Sequence, residues 1–126
     1  MLFAALASVV IASCYDGDTC TTTTGERIRL ACIDTPELTG KGAEPVPARA
    51  ARDHLRGLVL GKKVGIRRIT EDRYGRTVAE LFVDGVNVGQ KVVRNGYGEI
   101  YWRYAGSCPW IRSIPAETQA LACVRY

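Results

Sequence analysis

Three short segments of the chain carry side chains suited to a single chemical task. They are Asp-Gly-Asp-Thr at 16–19, Ile-Arg-Leu-Ala-Cys-Ile-Asp-Thr-Pro-Glu at 28–37 and Glu-Asp-Arg-Tyr-Gly-Arg at 71–76. The carboxylates of Asp18, Asp34 and Glu37 are hard oxygen donors that suit Ca²⁺ or Mg²⁺. The guanidinium groups of Arg29 and Arg76 are planar and permanently charged, which suits phosphate. A cation beside two guanidinium groups would offset the negative charge that develops when a phosphodiester is hydrolysed.

The strand that contains Arg29 is expected to hold this side chain away from the core. Residues 26–33 are predicted to form a β-strand, in which successive side chains point to opposite faces. One face then carries Ile28, Leu30 and Cys32, and the other carries Arg27, Arg29, Ala31 and Ile33. Arg29 is therefore predicted to point into a site rather than into the core.

The elements around these segments predict a mixed fold. Apolar and β-branched runs predict strands at 9–11, 19–24, 26–33, 64–69 and 77–83, and helical spacing predicts helices at 47–60, 86–94 and 113–124. Residues 38–47, rich in glycine and proline, are expected to form a mobile loop. Strands interleaved with helices indicate an α+β chain, and the order is compatible with an OB-type barrel.

The composition fits one globular domain and sets few other limits. The chain has 126 residues, of which 47% are hydrophobic and 24% are charged, and its net charge is +4. That charge is mildly favourable for a polyanion but does not by itself indicate nucleic-acid binding. No apolar run reaches the roughly 18 residues that a membrane span requires.

Five cysteines are many for a chain of this length. They could be small buried hydrophobes in a reducing cell or the disulfides of an exported protein. Two pairings are sterically possible: Cys14 with Cys20, across the predicted hairpin turn, and Cys108 with Cys123, around the C-terminal segment. Cys32 would then be left over, buried in a strand. Spacing alone does not determine connectivity, and a lone histidine without Cys-x-x-Cys argues against structural zinc.

The first residues allow more than one interpretation. Residues 1–14 could be the end of a signal peptide, and Ile-Ala-Ser-Cys at 11–14 is similar to a lipobox that would make Cys14 a lipid anchor. The segment lacks the basic region with which a secretory signal begins. We therefore expect folded strand from about residue 7, preceded by an N-terminal tail or signal remnant at 1–6.

With its three motifs in this order, the chain resembles the thermonucleases, the staphylococcal-nuclease-like (micrococcal nuclease) family. The resemblance extends from about residue 7 to the C terminus. It implies a five-stranded OB-fold β-barrel with three helices, formed by residues 7–126 as a single domain, with residues 8–15 as the first strand. Because the resemblance implies export and the chain has five cysteines, we expect an exported protein, secreted or in the cell envelope.

The resemblance also assigns metal ligands and catalytic residues. It implies that Asp18 and Asp34 hold Ca²⁺ through their carboxylates and that the backbone carbonyl of Thr35 is a third ligand. Water and a substrate phosphate would complete the six to eight oxygens that Ca²⁺ takes. It further implies the catalytic set Arg29, Glu37 and Arg76, in which Glu37 is the candidate general base and the two arginines bind the scissile phosphate.

Three aromatic residues are implied to bind substrate. Tyr74 would contact a phosphate, and Trp102 and Tyr104 would line a base-binding pocket. Trp102 stands where the family has tyrosine, and simple packing is an equal alternative for it. We assign no role to Asp16 or His54, because an aspartate in a turn and a helical histidine without a partner are ordinary structural residues.

The implied activity is Ca²⁺-dependent hydrolysis of DNA and RNA by a monomer, with little sequence specificity and 3′-phosphate products. Weak specificity is expected because phosphate contacts and stacking carry little base information. The alternative is a non-catalytic OB-fold module that binds single strands. The complete set of carboxylates and arginines favours the enzyme.

Overall fold

The computed structural model describes residues 6–113, and a β-barrel of five strands dominates it. In chain order the elements are β1 (Ala7–Cys14), β2 (Thr19–Thr22), β3 (Arg27–Leu30), β4 (Ile33–Asp34), α1 (Pro45–Val59), β5 (Lys63–Glu71), β6 (Thr77–Val83), β7 (Val86–Asn87), α2 (Val88–Arg94), β8 (Glu99–Ile100) and 3₁₀ helices at Trp102–Ser107 and Pro109–Ser113. The strand order is β3-β2-β1-β5-β6-β7, and β3 also pairs with β6 in parallel. This pairing closes β1, β2, β3, β5 and β6 into a barrel, with the two-residue β7 at its edge, which confirms the predicted α+β class and five-stranded barrel.

Periodicity explains how these elements bury a core. Ile28 and Leu30 of β3 are buried while Arg29 between them is partly exposed, as the alternation predicted. On α1 the residues at helical spacing are buried against the barrel, namely Ala48, Ala51, Leu55 and Val59, with Leu58 partly buried. The core therefore lies between the inner face of the barrel and one face of α1.

The two α-helices differ from their predicted boundaries at their N-termini. Helix α1 begins at Pro45 rather than Pro47, because proline is well suited to the first turn of a helix. Helix α2 begins at Val88 rather than Val86, because Asn87 caps it by accepting a hydrogen bond from the Gln90 N–H at 3.0 Å. The third predicted helix, at 113–124, lies outside the described residues except for Ser113, which ends a 3₁₀ helix.

The predicted strand at 26–33 is wrong beyond Leu30. Ala31 and Cys32 form a turn in which Cys32 adopts a left-handed φ of 68°. The chain then continues as β4, which pairs with β8 rather than with the barrel strands. Because this turn breaks the alternation, Ile33 is buried in the core instead of sharing a face with Arg29.

Two disulfides are present among the described residues. Cys14–Cys20, one of the two pairings that the sequence allowed, joins opposed positions of β1 and β2. Cys108, however, is bonded to Cys32, so the predicted pairing with Cys123 is wrong, and Cys123 lies outside the described residues. Cys32 is buried, but in a turn and not in a strand.

No helix among the described residues is both long enough and apolar enough to cross a membrane.

Truncation of a buried core residue should lower the free energy of unfolding more than truncation of an exposed residue. Leu81→Ala should lower the free energy of unfolding by about 2–5 kcal/mol, because Leu81 is fully buried in β6 and its truncation leaves a cavity. Val86→Ala on the exposed β7 is the control and should change it by about 0.5 kcal/mol or less. Urea unfolding of the two variants measures both values, and equal losses would contradict the assigned core.

Candidate active site

The hairpin turn between β1 and β2 forms one wall of the site. The Asp16 carboxylate accepts a hydrogen bond from the Asp18 N–H at 3.1 Å, which fixes the turn. A Cβ atom on Gly17 would lie 2.7 Å from Ala51 Cβ and 2.9 Å from Thr35 Oγ1. Only glycine fits this position, so the turn packs directly on α1 and on Thr35.

Asp18 connects three parts of the barrel through its side chain and backbone. Its buried carboxylate accepts hydrogen bonds from the Thr35 N–H at 3.2 Å and from the Thr19 hydroxyl at 3.1 Å. Its carbonyl accepts the Leu30 N–H at 2.8 Å. One residue thus fixes the positions of β2, the end of β3 and the segment after β4.

Arg29 projects from β3 toward two carboxylates. Its Nη2 atom lies 3.4 Å from Asp18 Oδ2 and 3.6 Å from Asp34 Oδ1, and its Nη1 donates to the Leu30 carbonyl at 2.6 Å. The Arg29 and Asp18 side chains are 17% and 6% exposed, whereas Asp34 is 44% exposed. The cluster therefore opens to solvent on the Asp34 side.

The site carries more negative charge than Arg29 can balance. Burial and, after it, the neighbouring charge of Asp18 together raise the pKa of Asp16 to about 7. Burial and the Asp18 charge also raise the pKa of Asp34, although Arg29 opposes them. Burial likewise raises the pKa of Glu99, which faces Asp34 across the β4–β8 pair, and Asp34 adds to this effect.

Glu37 follows β4 and lies within electrostatic reach of the same cluster. Burial raises the pKa of its carboxyl, and the charges of Asp18 and Asp34 add to this effect. Arg29 and Arg76 lower the pKa by less, so the net direction is upward. A carboxylate with a raised pKa is a better proton acceptor near neutral pH than an ordinary glutamate.

The β5–β6 turn positions Arg76. Asp72 Oδ1 accepts the backbone N–H groups of Tyr74 and Arg76 at 2.9 Å each, and Asp72 Oδ2 accepts Arg76 Nε at 2.7 Å. Burial would raise the pKa of Asp72, but these hydrogen bonds and the Arg76 charge together lower it. Gly75 supplies the left-handed φ of 77° that the turn requires. The parallel register of β3 with β6 pairs Ile28 with Thr77, which brings Arg29 beside this turn.

A groove of about 630 Å³ runs between this turn and the first 3₁₀ helix. Its charged and aromatic lining residues are Arg29, Glu71, Asp72, Arg73, Tyr74, Arg76, Tyr101, Arg103 and Tyr104. The rings of Tyr101 and Tyr104 meet edge to face at 5.3 Å, and the Arg73 guanidinium lies 4.9 Å from the Tyr74 ring centre. Such a groove can bind phosphates through its arginines and stack planar rings on its tyrosines.

The predicted site residues fall into two groups in the structure. Asp18, Arg29, Asp34 and Thr35 are in contact, and Glu37 lies close enough to feel their charges. Arg76, Tyr74 and Tyr104 line the groove that Arg29 also reaches. Trp102 is not among the lining residues of the groove and is 39% exposed. The chemical roles of these residues stay predictions.

Sequence reasoning missed three residues of the site. Asp16 was interpreted as a turn residue, yet its buried carboxylate adds to the charge of the cluster. Gly98 approaches Asp34 so closely that a Cβ would lie 2.8 Å from the Asp34 carbonyl. Tyr101 lines the groove. The Asp-Gly-Asp triplet was a usable signal for Asp16, whereas Gly98 and Tyr101 depend on the packing of β4 against β8.

The oxygen-rich cluster fits a hard cation. Within residues 6–113, no group of three or more His, Cys, Asp or Glu side chains is arranged to hold a metal ion. The predicted set needs only Asp18, Asp34 and the Thr35 carbonyl, with other ligands from outside the protein. Burial and, after it, the Asp18 charge raise the pKa values of Asp16 and Asp34, and a divalent cation there would favour the ionised carboxylates.

The sequence is similar to a family of known proteins and to several named relatives. Residues 27–117, well over half of the chain, match the sequence model of the family described as "Staphylococcal nuclease homologue". The chain is 38% identical over 79 residues to an "Uncharacterized endonuclease" of Escherichia coli O157:H7, with 62% of this chain and 48% of that protein aligned. It is 37% identical over 78 residues to a "Probable staphylococcal-like nuclease" of Oryza sativa subsp. japonica, with 62% of this chain and 22% of that protein aligned.

The chain thus spans about half the length of the Escherichia coli relative and less of the plant one. The match covers the Arg29 strand, both carboxylates after it and the Arg76 turn. It confirms the resemblance that the three motifs predicted. The chain belongs to the staphylococcal nuclease homologue family.

Proposed function

We propose that this protein is a Ca²⁺-dependent nuclease that hydrolyses phosphodiester bonds of DNA and RNA and leaves 3′-phosphate ends. The observation that carries the proposal is the position of Arg29, within 4 Å of two carboxylates and on the lining of a groove that also contains Arg76. Membership of the family and the relatives named as endonucleases support it.

The two arginines act on the phosphate. The groove presents Arg29 and Arg76 to the same side, and Asp72 holds Arg76 in place through its Nε atom. Each guanidinium can donate two hydrogen bonds to phosphoryl oxygens and stabilise the charge that grows on them in the transition state. When bound by Asp18, Asp34 and the Thr35 carbonyl, Ca²⁺ would supply further charge stabilisation as a Lewis acid.

Glu37 moves the proton. Its carboxylate accepts a proton from a water molecule as the water oxygen bonds to phosphorus, and the bond between phosphorus and the 5′-oxygen breaks. The raised pKa of Glu37 favours this acceptance near neutral pH. The products are a 3′-phosphate and a free 5′-hydroxyl, which takes up a proton from solvent.

The groove accounts for low sequence specificity. Its arginines contact phosphates, and its tyrosines offer ring faces, which stack on any base. An extended single strand exposes both features, so unpaired DNA and RNA are the expected preferred substrates.

The two disulfides support a place of action outside the reducing cytosol. Disulfides persist in oxidising compartments, so we expect an exported protein whose cysteines stay bonded in its working environment.

The proposal is tested by incubating single-stranded DNA and RNA with the protein in millimolar Ca²⁺, with and without chelator. Cleavage that requires Ca²⁺ and yields 3′-phosphate ends is expected. Strand binding without cleavage would instead indicate the non-catalytic OB-fold module, and products with 5′-phosphate ends would contradict the mechanism.

Arg76→Ala should lower kcat by about 10²- to 10³-fold, because it removes a preorganised donor to the transition state. Arg68→Ala is the matched control, since Arg68 is a half-exposed arginine that pairs with Glu26 away from the groove lining. The control should keep wild-type kcat. Circular dichroism must show both variants folded, and equal turnover in the two would remove Arg76 from the mechanism.

Asp16→Asn should change the pH dependence of stability in chelator. Because the folded pKa of Asp16, about 7, exceeds its ordinary value of 3.8, its ionisation opposes folding. Below pH 3.8 Asp16 is protonated in both the folded and the unfolded chain and does not lower the free energy of unfolding. As the pH rises from 3.8 to about 7, Asp16 ionises in the unfolded chain only, and the free energy of unfolding falls by up to about 1.4 kcal/mol per pH unit.

Asparagine keeps an acceptor for the Asp18 N–H but cannot ionise. The variant should therefore be more stable than the wild type above pH 7, and the difference should shrink toward pH 4. Urea unfolding at several pH values measures the difference in free energy of unfolding between the variant and the wild type. A difference independent of pH would show that ionisation of Asp16 does not destabilise the fold.

A further inference from the structure

We propose that the Cys32–Cys108 disulfide positions the aromatic wall of the groove for binding single-stranded nucleic acid. The wall is the segment 101–107, which carries Tyr101, Arg103 and Tyr104. That the ligand is a nucleic acid rests on the proposed function, whereas the positioning role follows from the contacts that hold this segment.

The aromatic wall has little packing of its own. None of the residues of the 3₁₀ helix Trp102–Ser107 is buried, and Tyr104 is 53% exposed. Only Ala105 of this helix packs, partly buried, against an apolar cluster, so apolar burial contributes little to fixing the segment. Yet three groove-lining side chains extend from this segment and must keep their place relative to Arg29.

Two contacts of the aromatic wall are made with Cys32 itself. The Tyr101 N–H donates to the Cys32 carbonyl at 2.8 Å, and the Cys32 Sγ atom lies 3.2 Å from the Tyr104 carbonyl oxygen. The far end is fixed by the bond from Cys32 to Cys108 and by a hydrogen bond from Arg67 to the Ser107 carbonyl at 2.6 Å.

The other end of the cross-link is the turn that follows Arg29. Cys32 is buried with a left-handed φ of 68°, three residues after Arg29 and two before Asp34. The disulfide joins positions 76 residues apart and lies in a small apolar cluster with Ala31, Ile100 and Ile111. It thus ties the groove wall to the part of the barrel that holds the charged cluster.

The second disulfide provides a matched control. Cys14–Cys20 is also buried, but it closes the hairpin that carries Asp16 and Asp18, and neither cysteine lines the groove. Its loss should disturb the carboxylate cluster and leave the aromatic wall unchanged. The two cross-links therefore predict different defects.

The experiment compares Cys32→Ser/Cys108→Ser with Cys14→Ser/Cys20→Ser, both in a Cys123→Ser background that excludes exchange with a third thiol. Binding of a fluorescein-labelled oligothymidylate is measured by anisotropy in chelator, where the proposed cleavage cannot occur. Cleavage kinetics are measured separately in Ca²⁺. For Cys32→Ser/Cys108→Ser, Kd and KM should rise by about tenfold or more, with kcat within about twofold.

Cys14→Ser/Cys20→Ser should keep Kd in chelator within about twofold of the background protein. Equal Kd values for the background protein and Cys32→Ser/Cys108→Ser would overturn the proposal, as would equal weakening in both double variants. If the background protein binds the strand but never cleaves it, the nuclease proposal fails while the positioning proposal stands. If it does not bind the strand, the positioning proposal fails.

A double-mutant cycle separates positioning from general loss of stability. Tyr104→Ala should weaken binding in the background protein but much less in Cys32→Ser/Cys108→Ser, where the wall is already released. Additive effects would overturn the proposal. If serine prevents folding, Cys32→Ala/Cys108→Val keeps the buried cluster apolar, and failure of that variant to fold would also count against a positioning role.

Discussion

The geometry of the site depends on the carboxylate of Asp18. It is buried, it accepts the Thr35 N–H and the Thr19 hydroxyl, and its Oδ2 atom lies 3.4 Å from Arg29. A buried carboxylate is tolerated only when donors and a counter-charge surround it. The contacts of Asp18 therefore fix the positions of Arg29 and of the segment after β4. Asp34 and Glu37 lie next to this segment in the chain, so their positions are fixed as well.

Barrel closure supplies the second half of the site. Because β3 pairs in parallel with β6, the strand that carries Arg29 runs beside the strand that begins after Arg76. Two arginines that are distant in sequence then line the same groove. Burial and the charge of Asp18 raise the pKa values of Asp16 and Asp34, and Arg29 opposes this only in part at Asp34, so a cation in the site would favour the ionised carboxylates.

Local patterns predicted much of this arrangement. The burial of Ile28 and Leu30, the exposed face of Arg29, the boundaries of β6 and the buried face of α1 all follow from periodicities within single elements. The Cys14–Cys20 bond could be proposed from the sequence for the same reason, since both cysteines flank one hairpin. Family motifs then identified the residues that the barrel brings together around Asp18.

The features that were missed depend on contacts distant in sequence. The left-handed turn at Cys32 is stabilised by its bond to Cys108 and by the pairing of β4 with β8, neither of which has a local signature. The same contacts place Tyr101 on the groove, and Trp102, predicted to bind substrate, is not among the lining residues. Asp16 was missed because its importance comes from burial among other carboxylates, which a turn motif does not reveal.

We infer that the carboxylates around Asp18 form a cation site and that a bound cation would offset their negative charge. Isothermal titration calorimetry of Ca²⁺ into the nucleic-acid-free protein at pH 7, in two buffers of different ionisation enthalpy, tests it most directly. We expect a single Ca²⁺ site, release of protons because the pKa of Asp16 is about 7 in the free protein, and loss of binding in Asp34→Asn. Absence of binding, or binding unchanged in Asp34→Asn and without proton release, would contradict it.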